Sequence, residues 1–328
     1  MFERIHGFGE YGFPESHAAS FSLLVYASAW LKHYYPAAFA AGLLNSQPMG
    51  FYQPAQIVRD AREHGVEVLP VCVQKSGWDM RLEAGGTESP HAAGGALRLG
   101  MRLVKGLRES AARAIERTQP FRSLDDLARR ARLGREPLER LAEANAFAGL
   151  GLSRREAVFD ALARLGEEPP LFAAVNAPHD SVPLPPLTPL GAVVQDYATV
   201  GLTLEKHPVA HVRPGLEALG ARTAASLRDV ADGKAVKVAG LVICRQRPQT
   251  ASGIVFFTVE DETGSANLIV RPQVFEQFRR VARGARFILA SGKLERDGEV
   301  THVLVRKLQD VANLFRGEEV PARSRDFH

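Results

Sequence analysis

The chain has 328 residues, 45% of them apolar and 24% charged, with a net charge of +4; that length predicts two or three domains, each able to bury a core. Its two cysteines, Cys72 and Cys244, stand far apart in no paired motif, which excludes a disulfide scaffold and a zinc site and fits a reducing cytosol. The longest apolar stretch, 18–31, is too short to span a bilayer, and no signal peptide is visible, so a cytoplasmic protein without membrane partners is expected.

Near the start, Gly7, Gly9 and Gly12 match G-x-G-x-x-G. A dinucleotide site needs a strand before that motif and a βαβ unit around it, and only six residues precede Gly7. A flexible turn is the better reading. Pro14 and Ser16 then open a helix that ends near Pro36. Phe21, Leu24, Val25 and Leu31 line one face, while Leu23, Tyr26 and Trp30 cover much of the rest. A helix apolar nearly all round is expected to be buried or docked on something larger. Helices follow at 37–44 and 53–64, then a short strand at 66–73. Residues 84–95 read as an exposed loop, 96–166 as mostly helical, 167–189 as a Pro-rich linker and 190–232 as a mixed connecting segment.

From 233 the period changes. Five strands rich in Val, Ile and Phe are predicted at 235–244, 254–260, 265–271, 285–292 and 300–308. A helix is predicted at 272–282, between the third and fourth. That order is the one expected of an OB-fold barrel. The polar tail from 316 is expected to be loose. The fold class is therefore multidomain α+β. It comprises a helical segment at 1–83, a helical module at 84–166, a connecting segment at 167–232, a five-stranded barrel at 233–315 and a tail at 316–328.

Charge is concentrated in one place. Residues 98–140 hold twelve Lys/Arg against six Asp/Glu, a local balance of +6 that exceeds that of the whole chain. Such an excess suits a polyanion, or else a solvated helical surface. Within it, Leu103 to Leu107 followed by Ala111, Ala112 and Ile115 has the pattern of a helix-hairpin-helix element. Gly106 permits a tight turn. The next helix then opens with unpaired N–H groups that can hold a phosphate. Lys105, Arg108 and Arg113 add charge without reading bases. A weaker second copy is read at 138–150, with Leu141, Ala142, Ala146, Phe147 and Gly149. Two copies would grip duplex DNA regardless of sequence; the alternative is an ordinary helical hairpin whose glycine only caps a helix.

In the barrel, Phe257, Val259 and Asp261 share one face of a strand, and Phe256 and Thr258 the other. If the first set points inward, Phe256 is free to stack on a base, with Asn267 nearby. Arg245, Arg247, Arg271, Lys293 and Arg296 would supply a basic groove for single-stranded DNA. The alternative is a barrel that binds only protein. Glu260, Asp261 and Glu262 precede Thr263-Gly264 and read as a solvated turn rather than a metal site. Asp125 and Asp126 suit a helix start that Ser123 caps. His207 and His211 are split by Pro208 and form no H-E-x-x-H pair, so no metal site is expected there.

Several stretches carry a family resemblance. Residues 8–21, which read FGEYGFPESHAASF, are similar to part of the fingers of C-family bacterial DNA polymerases, and WLKHYYPAAF at 30–39 continues the match. LLNSQPMGFY at 43–52 resembles the error-prone branch. LGMRLVKG at 99–106 resembles the entry to that family's tandem helix-hairpin-helix domain, GLTLEKHP at 201–208 the segment before its OB domain, and SRDFH at 324–328 the ending of error-prone members. The resemblance implies the C-terminal portion of such an enzyme: the end of the fingers, then the hairpins, then the OB domain. It implies Mg2+-dependent extension of DNA by palm aspartates. The palm precedes this region in the family, and no aspartate pair in a palm context appears here, so this chain alone is expected to be inactive. Ser16 and His17 would lie near the incoming nucleotide. Accessory mutagenesis proteins, and through them the sliding clamp, are implied partners. Pro170-Leu171-Phe172 is the nearest clamp-peptide candidate and lacks the usual glutamine. The alternatives are a stand-alone nucleic-acid-binding protein and a docking module for accessory mutagenesis proteins.

Overall fold

A computed structural model describes residues 15–48, 53–84, 95–163, 184–248, 252–298, 300–315 and 325–327, excepting the side chains of 15–17 and 325–327. The Gly7–Gly12 motif, the clamp-peptide candidate at 170–172 and most of the expected loop and linker lie outside these residues. The chain forms two compact units, Met1–Val182 and Pro183–His328.

In the first unit, α1 (Glu15–Tyr34), α2 (Pro36–Asn45) and α3 (Pro54–Glu63) follow the expected order. Pro at the first turn starts both α2 and α3, because its missing N–H has no helical partner there anyway. The expected strand at 66–73 shrinks to β1 (Val68–Leu69). It joins β2 (Arg81–Glu83) and β3 (Ala96–Arg98) in a sheet of order β1-β3-β2, with β1 parallel and β2 antiparallel to β3. Arg98 is buried across this sheet. It donates from Nε and Nη2 to the two Glu83 oxygens at 2.7 and 3.0 Å, and from Nη1 to the Pro70 carbonyl at 2.8 Å. The paired guanidinium holds the Glu83 carboxyl below the usual carboxylate range.

The helical module follows: α4 (Glu109–Thr118), α5 (Leu124–Ala131), α6 (Arg135–Glu143) and α7 (Arg154–Ala163). Ser123 accepts from the Asp126 N–H at 3.1 Å and so caps α5, with Asp125 and Asp126 in the first turn. The module also packs on the segment before it. Val73 N–H donates to Ala146 O at 3.0 Å, and the Gln74 and Phe121 groups exchange two hydrogen bonds. These hydrogen bonds cross the expected 83/84 boundary.

In the second unit, α8 (Pro189–Thr199) and α9 (Arg213–Ala218) lead into the barrel. Its strands are β4 (Ala235–Gln246), β5 (Val255–Asp261), β6 (Gly264–Val270), β7 (Phe287–Asp297) and β8 (Val300–Asp310). They run in the order β5-β6-β8-β7-β4, and β4 pairs back onto β5 to close the ring. Two short helices, α10 (Pro272–Gln277) and α11 (Arg279–Gly284), lie between the third and fourth strands. This is the OB topology. Two apolar clusters hold this unit together. One lies inside the barrel, around Phe257, Leu268, Val303 and Leu294; the other, around Phe287 and Phe315, joins it to 209–221. The connecting segment is thus part of the barrel unit. The tail also departs from expectation: residues Arg325–Phe327 form β9, paired in parallel with β4.

The acidic turn is not solvated. Asp261 is buried, and its carboxylate accepts from Arg213 Nη2 at 2.9 Å, Ala224 N at 2.7 Å, and Thr263 N and Oγ1 at 2.8 and 2.7 Å. Arg213 also donates to both oxygens of Glu262. A carboxylate this far from water needs such a partner set. Sequence pattern missed it because Arg213 lies 48 residues away.

The other surprise is α1. Its apolar side chains, buried or docked in expectation, stay exposed: Leu23 is 71% exposed, Val25 65% and Tyr26 70%. Its last turn is tied down by Lys32 to Asp60 at 2.8 Å, and Trp30 clusters with Tyr34 and Tyr35.

Candidate nucleic-acid interface

In the helical module, a 3-10 turn at Met101–Leu103 runs into Gly106, which has φ of +82° and lies at the surface. Leu107 tucks into the core, Arg108 caps α4 with extended backbone, and α4 begins at Glu109. Val104, Ala112 and Ile115 are buried beneath the turn and hold it in place. A Cβ on Gly106 would stand 3.1 Å from Arg140 Nε, so a second cation lies over the hairpin. Arg108 is exposed and has no carboxylate partner among the described residues. Lys105 is exposed beside it. Arg113 is placed differently: Glu109, Glu116 and Asp79 engage it at 3.2–3.3 Å, within the fold rather than over the turn.

The module repeats this geometry. A second 3-10 turn, Ala148–Leu150, runs into Gly151 with φ of +79°, then Leu152, then Ser153 and the start of α7 at Arg154. In both turns a left-handed glycine stands three residues before a helix. The sequence pattern points to Gly149 as the second glycine. That residue serves close packing instead, since a Cβ there would meet Cys72 Sγ at 2.6 Å. The matching spacing of Gly106-Leu107 and Gly151-Leu152 was the available signal. The second turn also differs in its cap: Ser153 and Glu156 exchange hydrogen bonds at 2.9 and 3.3 Å, which lowers the pKa of Glu156.

Much of the basic excess of 98–140 is spent internally. Arg98 and Arg102 brace the sheet and α2, and Arg129 and Arg130 pair with Asp126. Arg108, Arg117 and Arg132 are exposed with no carboxylate partner among the described residues, and Arg122 is exposed with only its backbone N–H on Asp126, at 3.1 Å.

On the barrel, register sorts the side chains. One rung across the outer wall reads Gln246, Phe256, Ile269, Leu304, Lys293 from β4 through β5, β6 and β8 to β7. The next reads Cys244, Thr258, Asn267, His302, Glu295. Between them the inward rung is Phe257, Leu268, Val303, Leu294, all essentially buried. Phe256 is 37% exposed against 1% for Phe257. Asn267 lies diagonally next to Phe256 and accepts weakly from Thr258 Oγ1 at 3.4 Å. Arg271 follows the end of β6, exposed at the start of α10, and Arg247 follows Gln246 and leans over the Phe275 ring at 5.9 Å. These two cations therefore stand at the Phe256 end of the wall.

The other three basic residues stand elsewhere. Arg245 was expected in the groove but is the register partner of the inward-facing Phe257. A bulge between Val242 and Cys244 shifts the parity of β4 by one. Its guanidinium lies 5.4 Å over the Phe257 ring and donates to the Ala282 and Ala285 carbonyls at the end of α11. A cation there satisfies orphan helical carbonyls. Arg296 donates to the carbonyls of Arg228 and Val230 at 2.7 and 3.1 Å. Lys293 stands on β7, which does not pair with the Phe256 strand β5, and lies 3.5 Å from Glu295.

His207 Nδ1 accepts from Val209 N at 3.2 Å, which caps a local 3-10 turn. Its Nε2 lies 3.3 Å from Glu260 without hydrogen-bond alignment. Among the described residues no group of three His, Cys, Asp or Glu is placed to hold a metal ion, and no helix is long and apolar enough to cross a membrane. Ser16 and His17 fall in the first turn of α1, their side chains outside the described residues.

Residues 65–157 match the model of the helix-hairpin-helix motif, and 236–311 that of the OB-fold nucleic acid binding domain. The whole chain is 51% identical over 333 residues to an error-prone DNA polymerase of Anaeromyxobacter dehalogenans, covering 29% of it. It is 49% identical to that of Burkholderia pseudomallei and 48% to that of Pseudomonas aeruginosa, covering all of this chain and 31% of each relative. Along its whole length the chain is thus similar, at about half identity, to error-prone DNA polymerases. It spans about three tenths of the length of these curated relatives and corresponds to a C-terminal portion of them. Both glycine turns fall inside the helix-hairpin-helix match, and the Phe256 wall falls inside the OB match. The chain thus joins a helix-hairpin-helix module to a module of the OB-fold nucleic acid binding type.

Proposed function

We propose that this chain is the DNA-binding C-terminal portion of an error-prone DNA polymerase that acts in damage tolerance and damage-induced mutagenesis. The helical module holds duplex DNA through its backbone, with Lys105, Gly106 and Arg108 at the phosphates. The outer wall of the barrel takes the single-stranded template, with Phe256 stacking, Asn267 beside it, and Arg247 and Arg271 near the strand's phosphates. The single observation that carries this reading is the Gly106 turn. It is exposed, left-handed, overlain by Arg140, and opens a helix whose first N–H groups have no partner in the helix.

No step of nucleotide addition is assigned to residues of this chain. The one acidic run, 260–262, does not fit a divalent ion, because Arg213, Ala224 and Thr263 occupy its central carboxylate. Mg2+ belongs to the whole polymerase, where it supplies charge stabilisation for phosphoryl transfer. Ser16 and His17 remain the proposed nucleotide-proximal pair. Accessory mutagenesis proteins, and the clamp through them, are proposed partners, and the cytoplasm the compartment.

The test is duplex binding followed across a salt series. Each phosphate contact contributes about −0.9 to the slope of log K against log salt. Lys105→Ala with Arg108→Ala should flatten that slope by nearly two contacts. An unaltered slope would remove the hairpin from the interface.

A protein-docking reading is favoured for α1 alone. Leu23, Leu24, Val25 and Tyr26 lie exposed together on it, and a contiguous apolar patch marks an interaction surface. The partner proposed is the remainder of the polymerase, which makes up about seven tenths of the relatives' length.

A further inference from the structure

The last strand, β9, is placed where β7 no longer covers β4. The first part of β4, through Leu241, pairs with β7, and the part from Leu241 onward pairs with β5. After the bulge at Val242/Cys244, β4 has left β7, so one edge of its end is uncovered by the five barrel strands. β9 takes that edge. Its Cα partners are Cys244 with Arg325, Arg245 with Asp326 and Gln246 with Phe327.

The same residues of β4 hold the proposed single-strand wall on their other side. Gln246 is the partner of Phe256, and Cys244 of Thr258. Both outer rungs therefore run on into β9. An unpaired end of β4 would fray, because bare edge groups are held by one neighbour only. Arg247 is the next residue along, so fraying would loosen it together with the stacking ring.

We infer that the C-terminal strand is a clasp: by pairing with the uncovered edge of β4 it fixes the Phe256 end of the barrel wall and so strengthens binding of single-stranded nucleic acid. This rests on the single-strand reading of the wall given above, and the experiment separates the two. It compares the full chain with a chain lacking 324–328, using a fluorescent oligothymidylate, a blunt duplex, and amide hydrogen exchange at 244–246. The clasp predicts that removing the strand weakens oligothymidylate binding about five- to tenfold, leaves duplex binding unchanged, and speeds exchange at 244–246 about tenfold. Equal or tighter oligothymidylate binding by the shortened chain would overturn it, and so would unchanged exchange. If the full chain does not bind oligothymidylate, the single-strand reading fails by itself, and the exchange rates still decide whether the strand is a clasp. A second variant guards against misfolding of the shortened one. Cα partners in neighbouring strands lie within disulfide range. Arg325→Cys with Cys72→Ser leaves only Cys244 as its partner. Mild oxidation should join the two within one chain and keep single-strand affinity at or above the native value. Failure to cross-link, or a severalfold loss of affinity in the cross-linked form, would count against the clasp.

Discussion

The two modules present their candidate surfaces by different means. In the barrel, Phe256 faces outward because Phe257 faces inward, and the same alternation repeats across neighbouring strands. In the helical module the surface hangs on single residues: a left-handed glycine at 106 and another at 151. A pleat is a redundant device, since many pairs must fail before one side chain turns over. A glycine turn is not. The difference teaches where each surface is vulnerable: the barrel through its frame, the hairpins through one dihedral.

The largest expected effect tests the barrel's frame. Asp261→Ala leaves the Ala224 N–H and the Thr263 N–H and hydroxyl without their acceptor and Arg213 with Glu262 alone, and breaking a buried ion pair costs about 3–5 kcal/mol. Denaturation followed by a barrel reporter should show that loss, with the helical unit unaltered; a loss under 1 kcal/mol would mean the cluster is solvated after all. Next, Phe256→Ala should cost about 1–3 kcal/mol of single-strand affinity while stability barely changes, since stacking contributes that much per base. Equal affinity for mutant and native chains would leave the wall without its platform. Gly106→Ala places a side chain at φ of +82° and against Arg140, and should cost about 1–2 kcal/mol of stability. Gly151→Ala meets the same dihedral but open space, so it should cost less. If both cost nothing, the turns are not constrained and the contrast with the barrel collapses. The smallest effect is electrostatic. Arg98 depresses the Glu83 pKa in the folded state, so this pair's stabilisation is present above the unfolded carboxylate value and is lost as pH falls through the lower, folded one. Glu83→Gln should flatten the acid side of the stability–pH curve, and an unchanged curve would show that the pair contributes nothing.

How far the sequence could be read follows the same division. The period-two pattern of β5 announces that two adjacent phenylalanines face opposite ways, and the strand–helix order announces the barrel. Ser123 as a cap is equally local. Three features were illegible because they depend on distance. The β4 bulge reverses Arg245 without any signal in its neighbours. The burial of Asp261 depends on Arg213, within what reads as a connector. Gly149 and Gly151 are two residues apart, and only the backbone tells the packing glycine from the turning one. A tail of mixed polar residues likewise gives no hint that its end pairs with β4.

The exposed face of α1 has one practical consequence. The chain contains two tryptophans, and Trp30 is 44% exposed on that helix, beside Tyr34 and Tyr35. An indole in water emits at longer wavelength than one in an apolar seam. Trp30 is therefore a native optical probe of α1, and whatever settles on the helix will announce itself as a blue shift without any label.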